Sequence, residues 1–293
     1  MMSGYKISVV IPTYNRQELL KKTIISLVNQ SLSKEEFEVI ICDDGSKDKP
    51  ISLIEKFKKN LNIRYFYQED KGFRAGAARN IGLKEAKGDI VLFLDTGVVL
   101  EENALANHFI IHKEYNEPIA LIGYMYGFDE LNENKQAINS VGINPNNVGE
   151  GIKKLKHLKI FDRREKIFEK NGENLLNWKA PWIIFWTGHL SVPRKECLEL
   201  KGFDESLDGW GYEDIDLGIR WFVKGYKIIM SREVSSIHLP HDKFKSTLKA
   251  SERREYSNKK KKILLDKYNL AALKLWMNYE TIEIEEKLLE EQP

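Results

Sequence analysis

The chain has 293 residues, with 46 Lys and Arg against 44 Asp and Glu, a formal net charge of +2 and only 2 cysteines. That length carries one large α/β core or two modest domains and needs no disulfide framework, and the charge balance leaves no electrostatic footprint for nucleic acid. No apolar run approaches the length that spans a bilayer, and the opening Met1-Met2-Ser3-Gly4-Tyr5-Lys6-Ile7 has no signal-peptide core, so a cytoplasmic protein is expected.

Ile7 to Ile11 is a β-branched apolar run that stops at Pro12-Thr13-Tyr14-Asn15, the pattern of a buried strand entering a turn. Leu19, Leu20, Thr23, Ile24, Leu27 and Val28 then recur at helical spacing. A second strand, Phe37 to Cys42, ends in Asp43-Asp44-Gly45-Ser46-Lys47-Asp48, and a helix follows through Ile51, Ile54 and Phe57. Ile63 to Tyr67 is a third strand, Gly72 to Lys87 an alanine-rich helix, and Asp89 to Leu94 a fourth strand ending at Asp95-Thr96-Gly97. Strands alternating with helices predict a mostly parallel α/β sheet flanked by helices, whose ligands sit beyond the carboxyl ends of the strands. The polar clusters after the first, second and fourth strands lie at those ends.

A helix from about Glu101 to Glu117 leads to another apolar run, Ile119 to Gly123. From Tyr124 to about Lys179 periodicity is weak, apart from a charged helical piece around Ile152 to Phe168, and irregular structure over the cleft is expected. The aromatic run Trp182 to Trp186 is core or an apolar platform for a sugar ring. A helix at Arg194 to Lys201, the acidic stretch Gly209 to Arg220, and a late strand from Tyr226 to Met230 follow, then His238-Leu239-Pro240-His241. A charged helical tail begins at Asp242. It packs on the domain, pairs with a second chain, or meets an anionic membrane surface through Lys259 to Lys262.

The acidic stretch is Gly209-Trp210-Gly211-Tyr212-Glu213-Asp214-Ile215-Asp216. Glycines ahead of a helix permit close approach of backbone to ligand, and acids in a first helical turn are favoured by its exposed amides. Three carboxylates so close raise one another's pKa, which is the chemistry of a general base. The lone His189 is read as a satisfied polar side chain, and His112 and His157 have no constellation around them. Arg79 and Asn80 either stitch helix to sheet or meet a ligand.

Together, Val9-Val10-Ile11-Pro12-Thr13-Tyr14-Asn15, Asp43-Asp44-Gly45-Ser46, Ala75 to Gly88, Leu92-Phe93-Leu94-Asp95, Gly202-Phe203-Asp204-Glu205 and Trp210 to Arg220 resemble the family 2 glycosyltransferases of the GT-A fold. The late segment resembles the galactosyltransferase-type region of related enzymes, and the resemblance covers about the first 240 residues. It implies a Rossmann-like nucleotide-diphospho-sugar transferase fold with a C-terminal helical tail. Residues 1–123 would form the donor-binding half, 124–241 the acceptor-binding and catalytic half, and 242–293 a helical extension. The implied activity is transfer of a sugar from a nucleotide-diphosphate donor, a UDP-sugar by preference, to a hydroxyl acceptor with inversion. The acceptor would be a saccharide, a lipid-linked saccharide or a peptide, and the location cytoplasmic or peripheral to the inner membrane face. The alternative is a non-catalytic nucleotide-sugar-binding subunit of a glycan assembly complex.

On the same resemblance Pro12, Thr13 and Asp44 line the nucleoside pocket, Arg74 lies near the base or phosphates, Asp214 is the catalytic base, and Trp210 and Glu213 shape the acceptor pocket. The resemblance also implies Mn²⁺ or Mg²⁺, held by Asp95 with His238 or His241. The departure is Asp95-Thr96-Gly97 where the family carries Asp-x-Asp, because glycine offers no side-chain oxygen to a hard cation. Three outcomes follow: a metal held by Asp95, a histidine and the diphosphate; metal-free charge compensation by Arg74, Arg79 or Lys71; or loss of activity.

Overall fold

The computed structural model describes residues 4–128, 131–207, 209–242 and 248–291. Its first half alternates as predicted: β1 (Ile7–Thr13), α1 (Gln17–Val28), β2 (Phe37–Asp43), α2 (Ile51–Phe57), β3 (Ile63–Tyr67), α3 (Ala75–Glu85), β4 (Ile90–Leu94). Side chains alternate between the two sheet faces, as the strand period requires. Val10, Ile40, Cys42, Val91 and Phe93 share one cluster with Ala78 and Leu83 of α3. Ile7, Val9, Ile11, Ile41, Leu92 and Leu94 share the other with Leu20, Ile24 and Leu27 of α1.

The second half is β5 (Val98–Leu100), α4 (Ala104–Glu114), β6 (Ile119–Tyr126), α5 (Lys135–Val141), α6 (Val148–His157), α7 (Glu165–Asn171), β7 (His189–Pro193), α8 (Arg194–Glu199), α9 (Glu213–Val223) and β8 (Lys227–His238). The strand order is β3-β2-β1-β4-β7-β6-β8-β5. The pairings among β1, β2, β3 and β4 are parallel, and so is β6 with β8. β7 enters antiparallel between β4 and β6, and β5 pairs antiparallel with β8. Four of the seven pairings are parallel, in line with the mostly parallel sheet expected, and the antiparallel ones come from β4 onward. Its antiparallel members bring the amino end of β7 and the carboxyl ends of β6 and β8 to the same edge as Asp95.

Three expectations are corrected. The helical piece around Ile152 to Phe168 is two helices, α6 and α7, split by a turn in which Lys159 takes a φ of +55°. The late strand runs on to His238, well past Met230. The tail is helical from Ala250 rather than Asp242, with Lys243 to Thr247 lying outside the described residues.

The tail packs against the domain. Leu264, Leu273, Leu275 and Trp276 enter the same core cluster as α3. Lys267 Nζ reaches Asp216 Oδ1 and Asp204 Oδ2, each at 2.6 Å, and the Tyr268 hydroxyl donates to Asp216 Oδ1 at 2.6 Å. Lys259 to Lys262 do not form one basic face, since consecutive helical residues point in different directions. Lys260 is buried, and Lys261 Nζ donates to the Trp276 carbonyl at 2.7 Å. Among the described residues no helix is long and apolar enough to cross a membrane.

Candidate functional site

The strand ends open into one cleft of about 1070 Å³. Pro12, Thr13, Asp44, Asp95, Trp210, Glu213, Asp214, His238 and His241 all line it, and Arg74 does not.

At the β1 and β2 end, Asp44 is buried, accepting from Gln68 Nε2 at 2.6 Å on one oxygen and from the Arg74 amide at 2.8 Å on the other. Burial raises its pKa, and these two donors oppose the rise. Arg74 is turned to Asp44 and the Glu69 carbonyl, so its contribution is to hold Asp44 in place. Lys71 is exposed beside Glu69. The Thr13 hydroxyl is buried at the cleft wall without a hydrogen-bond partner among the described residues, as befits an atom facing a ligand position.

Arg79 sits at the centre. Its Nη2 reaches Asp95 Oδ1 at 2.8 Å and its Nη1 reaches Glu213 Oε1 at 2.9 Å, so it ties the end of β4 to the start of α9. Burial alone would lower the pKa of this guanidinium, yet the Asp95 and Glu213 carboxylates hold it above its ordinary value. Arg79 is thus both a helix-to-sheet stitch and a cleft residue. Asn80 is a stitch, bonded to Phe203 and Glu205.

Asp214 opens α9 after a stretch of left-handed backbone: φ is +81° at Gly211 and +75° at Tyr212. A non-glycine residue in that region costs about 1–3 kcal/mol, and the Tyr212 side chain, buried against Trp276 and bonded to Ser257, keeps it there. The Asp214 carboxyl accepts from the Ile215 amide at 2.8 Å. Desolvation first, and the neighbouring Glu213 charge second, push its pKa up to about 8, against the opposing pull of Arg79. Glu213 Oε2 is buried with no hydrogen-bond partner among the described residues. The third acid of the stretch, Asp216, is fully buried on Arg220, Lys267 and Tyr268 and takes no part in the cleft.

α9 can lie this close because residue 218 is glycine: an added Cβ would stand 2.6 Å from Phe185 Cβ and 2.7 Å from its Cγ. Gly218→Ala is expected to cost about 2 kcal/mol by overpacking and to lower turnover by displacing Asp214, measured as the denaturation midpoint beside initial rates.

Near the Asp95 turn, β5 pairs with β8 so that Val98 faces His238, and the Leu239 amide donates to the Gly97 carbonyl at 2.9 Å. Both late histidines therefore reach the turn, their ring centroids 5.0 Å apart. They and Asp95 do not assemble a metal shell as they stand. Asp95 Oδ1 is on Arg79, and Gly97 brings no side-chain oxygen. His241 Nε2 is 2.7 Å from Arg16 Nη1, while its Nδ1 faces the Leu239 carbonyl at 3.1 Å. Among the described residues no group of three or more His, Cys, Asp or Glu side chains is disposed to hold a metal ion.

His189 is satisfied as expected, bonded to His108 of α4 and Ser236 of β8. His112, left unassigned, joins that buried group through Ser191, at 2.8 Å.

Several cleft residues were not placed there from the sequence: Arg16, and Ser257, Lys261 and Trp276 of the tail. Arg16 follows the Pro12 to Asn15 turn with no pattern to single it out, and its partner lies 225 residues away. The tail is expected from sequence to pack, pair or meet a membrane, and nothing in it marks a cleft wall.

A sequence model described as glycosyl transferase family 2 matches residues 8–187, and one described as the N-terminal domain of galactosyltransferase matches residues 170–242. A validoxylamine A glucosyltransferase of Streptomyces hygroscopicus subsp. limoneus is 35% identical over 238 residues, which is 81% of this chain and 52% of that protein. The chain thus spans about half the length of that relative. S. aureus TarS 1-349, solved in complex with UDP-GlcNAc, superposes with a TM-score of 0.63 at 20% identity, covering 89% of this chain and 67% of that one. A mannosyltransferase from Pyrobaculum calidifontis, solved with GDP-Man and Mn²⁺, gives 0.61 at 16% identity, covering 89% and 64%. At such identities the two solved structures speak for the fold alone.

Proposed function

The chain belongs to glycosyl transferase family 2, and from that premise we propose that it transfers a sugar from a nucleotide-diphosphate donor to an acceptor hydroxyl with inversion. The observation that carries this reading is a single cleft with Asp44 and Thr13 at one end and the Asp214 carboxyl, its pKa raised, at the other. Asp44 and Thr13 would take the nucleoside. Asp214, as the ionised base, would remove the acceptor proton while the hydroxyl oxygen attacks the anomeric carbon and the diphosphate leaves from the opposite side. A single displacement of that kind inverts the centre. Glu213, fixed by Arg79, and Trp210 would face the acceptor.

UDP is the expected nucleotide, as the family resemblance implies. A divalent ion, present in the mannosyltransferase, would need to rely on the diphosphate and on waters for most of its oxygens here. Residues 1–123 would serve the donor and 124–241 the acceptor. To these we add the tail, because Ser257, Lys261 and Trp276 lie on the cleft wall.

Binding and slow hydrolysis of UDP-, GDP- and dTDP-sugars by the purified chain test the reading. One nucleotide-sugar is expected to bind and turn over, with affinity lowered at least about tenfold in Asp44→Ala for a lost nucleoside hydrogen bond. If none of the three classes binds, the reading fails. A donor that binds but is neither hydrolysed nor transferred across an acceptor screen would favour the non-catalytic subunit instead.

A further inference from the structure

The geometry points to Arg16, held by His241, as the cation that meets the donor diphosphate, in place of a metal ion bound to the Asp95-Thr96-Gly97 turn. This rests on the donor-site reading above and assigns a residue that the family resemblance does not.

Arg16 caps the amino end of α1, just beyond β1, and lines the cleft with Thr13 and Asp95. It is half-buried, and its guanidinium makes two hydrogen bonds: to His241 Nε2 at 2.7 Å and to the Asp242 carbonyl at 3.0 Å. With Nε2 accepting and Nδ1 donating to the Leu239 carbonyl, the imidazole is the neutral tautomer. Both partners are uncharged, and among the described residues no carboxylate stands within ion-pair distance of Arg16. The cations weighed from the sequence differ in this respect, since Arg79 is spent on Asp95 and Glu213, and Arg74 on Asp44. Arg16 therefore brings to the donor side of the cleft a positive charge that no direct ion pair occupies, with the Asp95 and Asp242 carboxylates acting on it only from longer range. A planar guanidinium with further N–H donors suits two phosphate oxygens.

Residue 97 suits glycine because its φ is +96°, where side chains are strained; a Cβ there would make only ordinary contact, with Leu19 at 3.6 Å and His241 Nδ1 at 3.7 Å, and glycine sets no carboxylate beside Arg16. In the transfer step, the bond between the anomeric carbon and the β-phosphate oxygen breaks and its electron pair passes to that oxygen. Arg16 stabilises the charge so formed, while the acceptor oxygen bonds to carbon and its proton passes to Asp214.

The test is a calorimetric titration of the metal-stripped full chain with UDP, GDP and dTDP in EDTA, repeated for the tightest of the three in Mn²⁺ and with its parent nucleoside. We expect the diphosphate Kd to differ less than about threefold between EDTA and Mn²⁺, and Arg16→Met to weaken it about 30-fold, the size of a charged hydrogen-bond pair. The nucleoside should bind both proteins alike, which also reports that the variant is folded. Arg16→Lys, keeping the charge without the fork, should fall between them and serves alone if Arg16→Met does not fold. Diphosphate binding that tightens tenfold or more with Mn²⁺, or that ignores both substitutions, overturns the inference and leaves the donor site standing. If no nucleoside diphosphate binds in either condition, the donor-site reading falls with it.

Discussion

Asp214→Asn is expected to lower kcat about 10³-fold while leaving the donor KM within about twofold, because the amide keeps the shape of the carboxyl but cannot take the acceptor proton. The pH dependence identifies the group. The base works ionised, so wild-type kcat/KM should climb with pH, about tenfold per unit, and level off near the Asp214 pKa of about 8. The residual activity of the variant should lack that limb.

Stability should respond in the opposite sense. A carboxyl whose folded pKa lies above its unfolded value binds its proton more tightly in the native state, so this contribution weakens as pH rises from about 4 to about 8. The asparagine variant escapes that loss. Thermal melting at pH 5 and pH 8.5 should find the variant gaining on wild type at the higher pH. A variant that is inactive yet no better placed at pH 8.5 would argue that Asp214 is not the strained group.

The second large effect concerns Arg79. Replacing it by methionine leaves Glu213 buried without its partner and Asp95 without its anchor. Removing one member of such a pair costs about 3–5 kcal/mol, so the melting temperature should drop by roughly 6 °C or more, with transfer lost as the Asp95 and Glu213 ends of the cleft part. Adding Glu213→Leu removes the orphaned charge and should recover most of the stability without any activity. If the double variant is no more stable than Arg79→Met, the cost lies in packing against Phe203, over which the guanidinium sits at 5.4 Å, rather than in the charge.

The donor half was legible in the sequence because parallel strands buried on both faces leave unmistakable marks, short apolar runs that end in polar turns. Pro12-Thr13, Asp44 and Asp95 could be placed at one edge from that pattern alone. β7 could not. Its buried positions include His189 and Ser191, which are satisfied by His108 and His112 of α4 and by Ser236 of β8, so no apolar run announces the strand. β5 is three residues long and offers no period at all. The pairing of Asp95 with Arg79 and Glu213 was equally hidden, because the two ends of the stitch are 134 residues apart. The acidic stretch was readable as a site but not residue by residue. Only the fold separates Asp214, which faces the cleft, from Asp216, two positions on and turned to the tail.

Asp216 also bears on the order in which the molecule is completed. Ribosomes deliver the chain from its amino end, and the helix bearing Asp214 leaves them before Lys267 and Tyr268, which stand 51 and 52 residues downstream of Asp216. Until those residues arrive, Asp216 has Arg220 but lacks the other two groups that satisfy it in the finished core. The nascent α9 thus carries an acid with one of its three partners until the tail docks. The same event brings in Ser257, Lys261 and Trp276, so the last wall of the cleft and the full compensation of Asp216 are achieved together. A truncated or stalled chain would hold the donor-facing half with one cleft wall missing and Asp216 short of two partners.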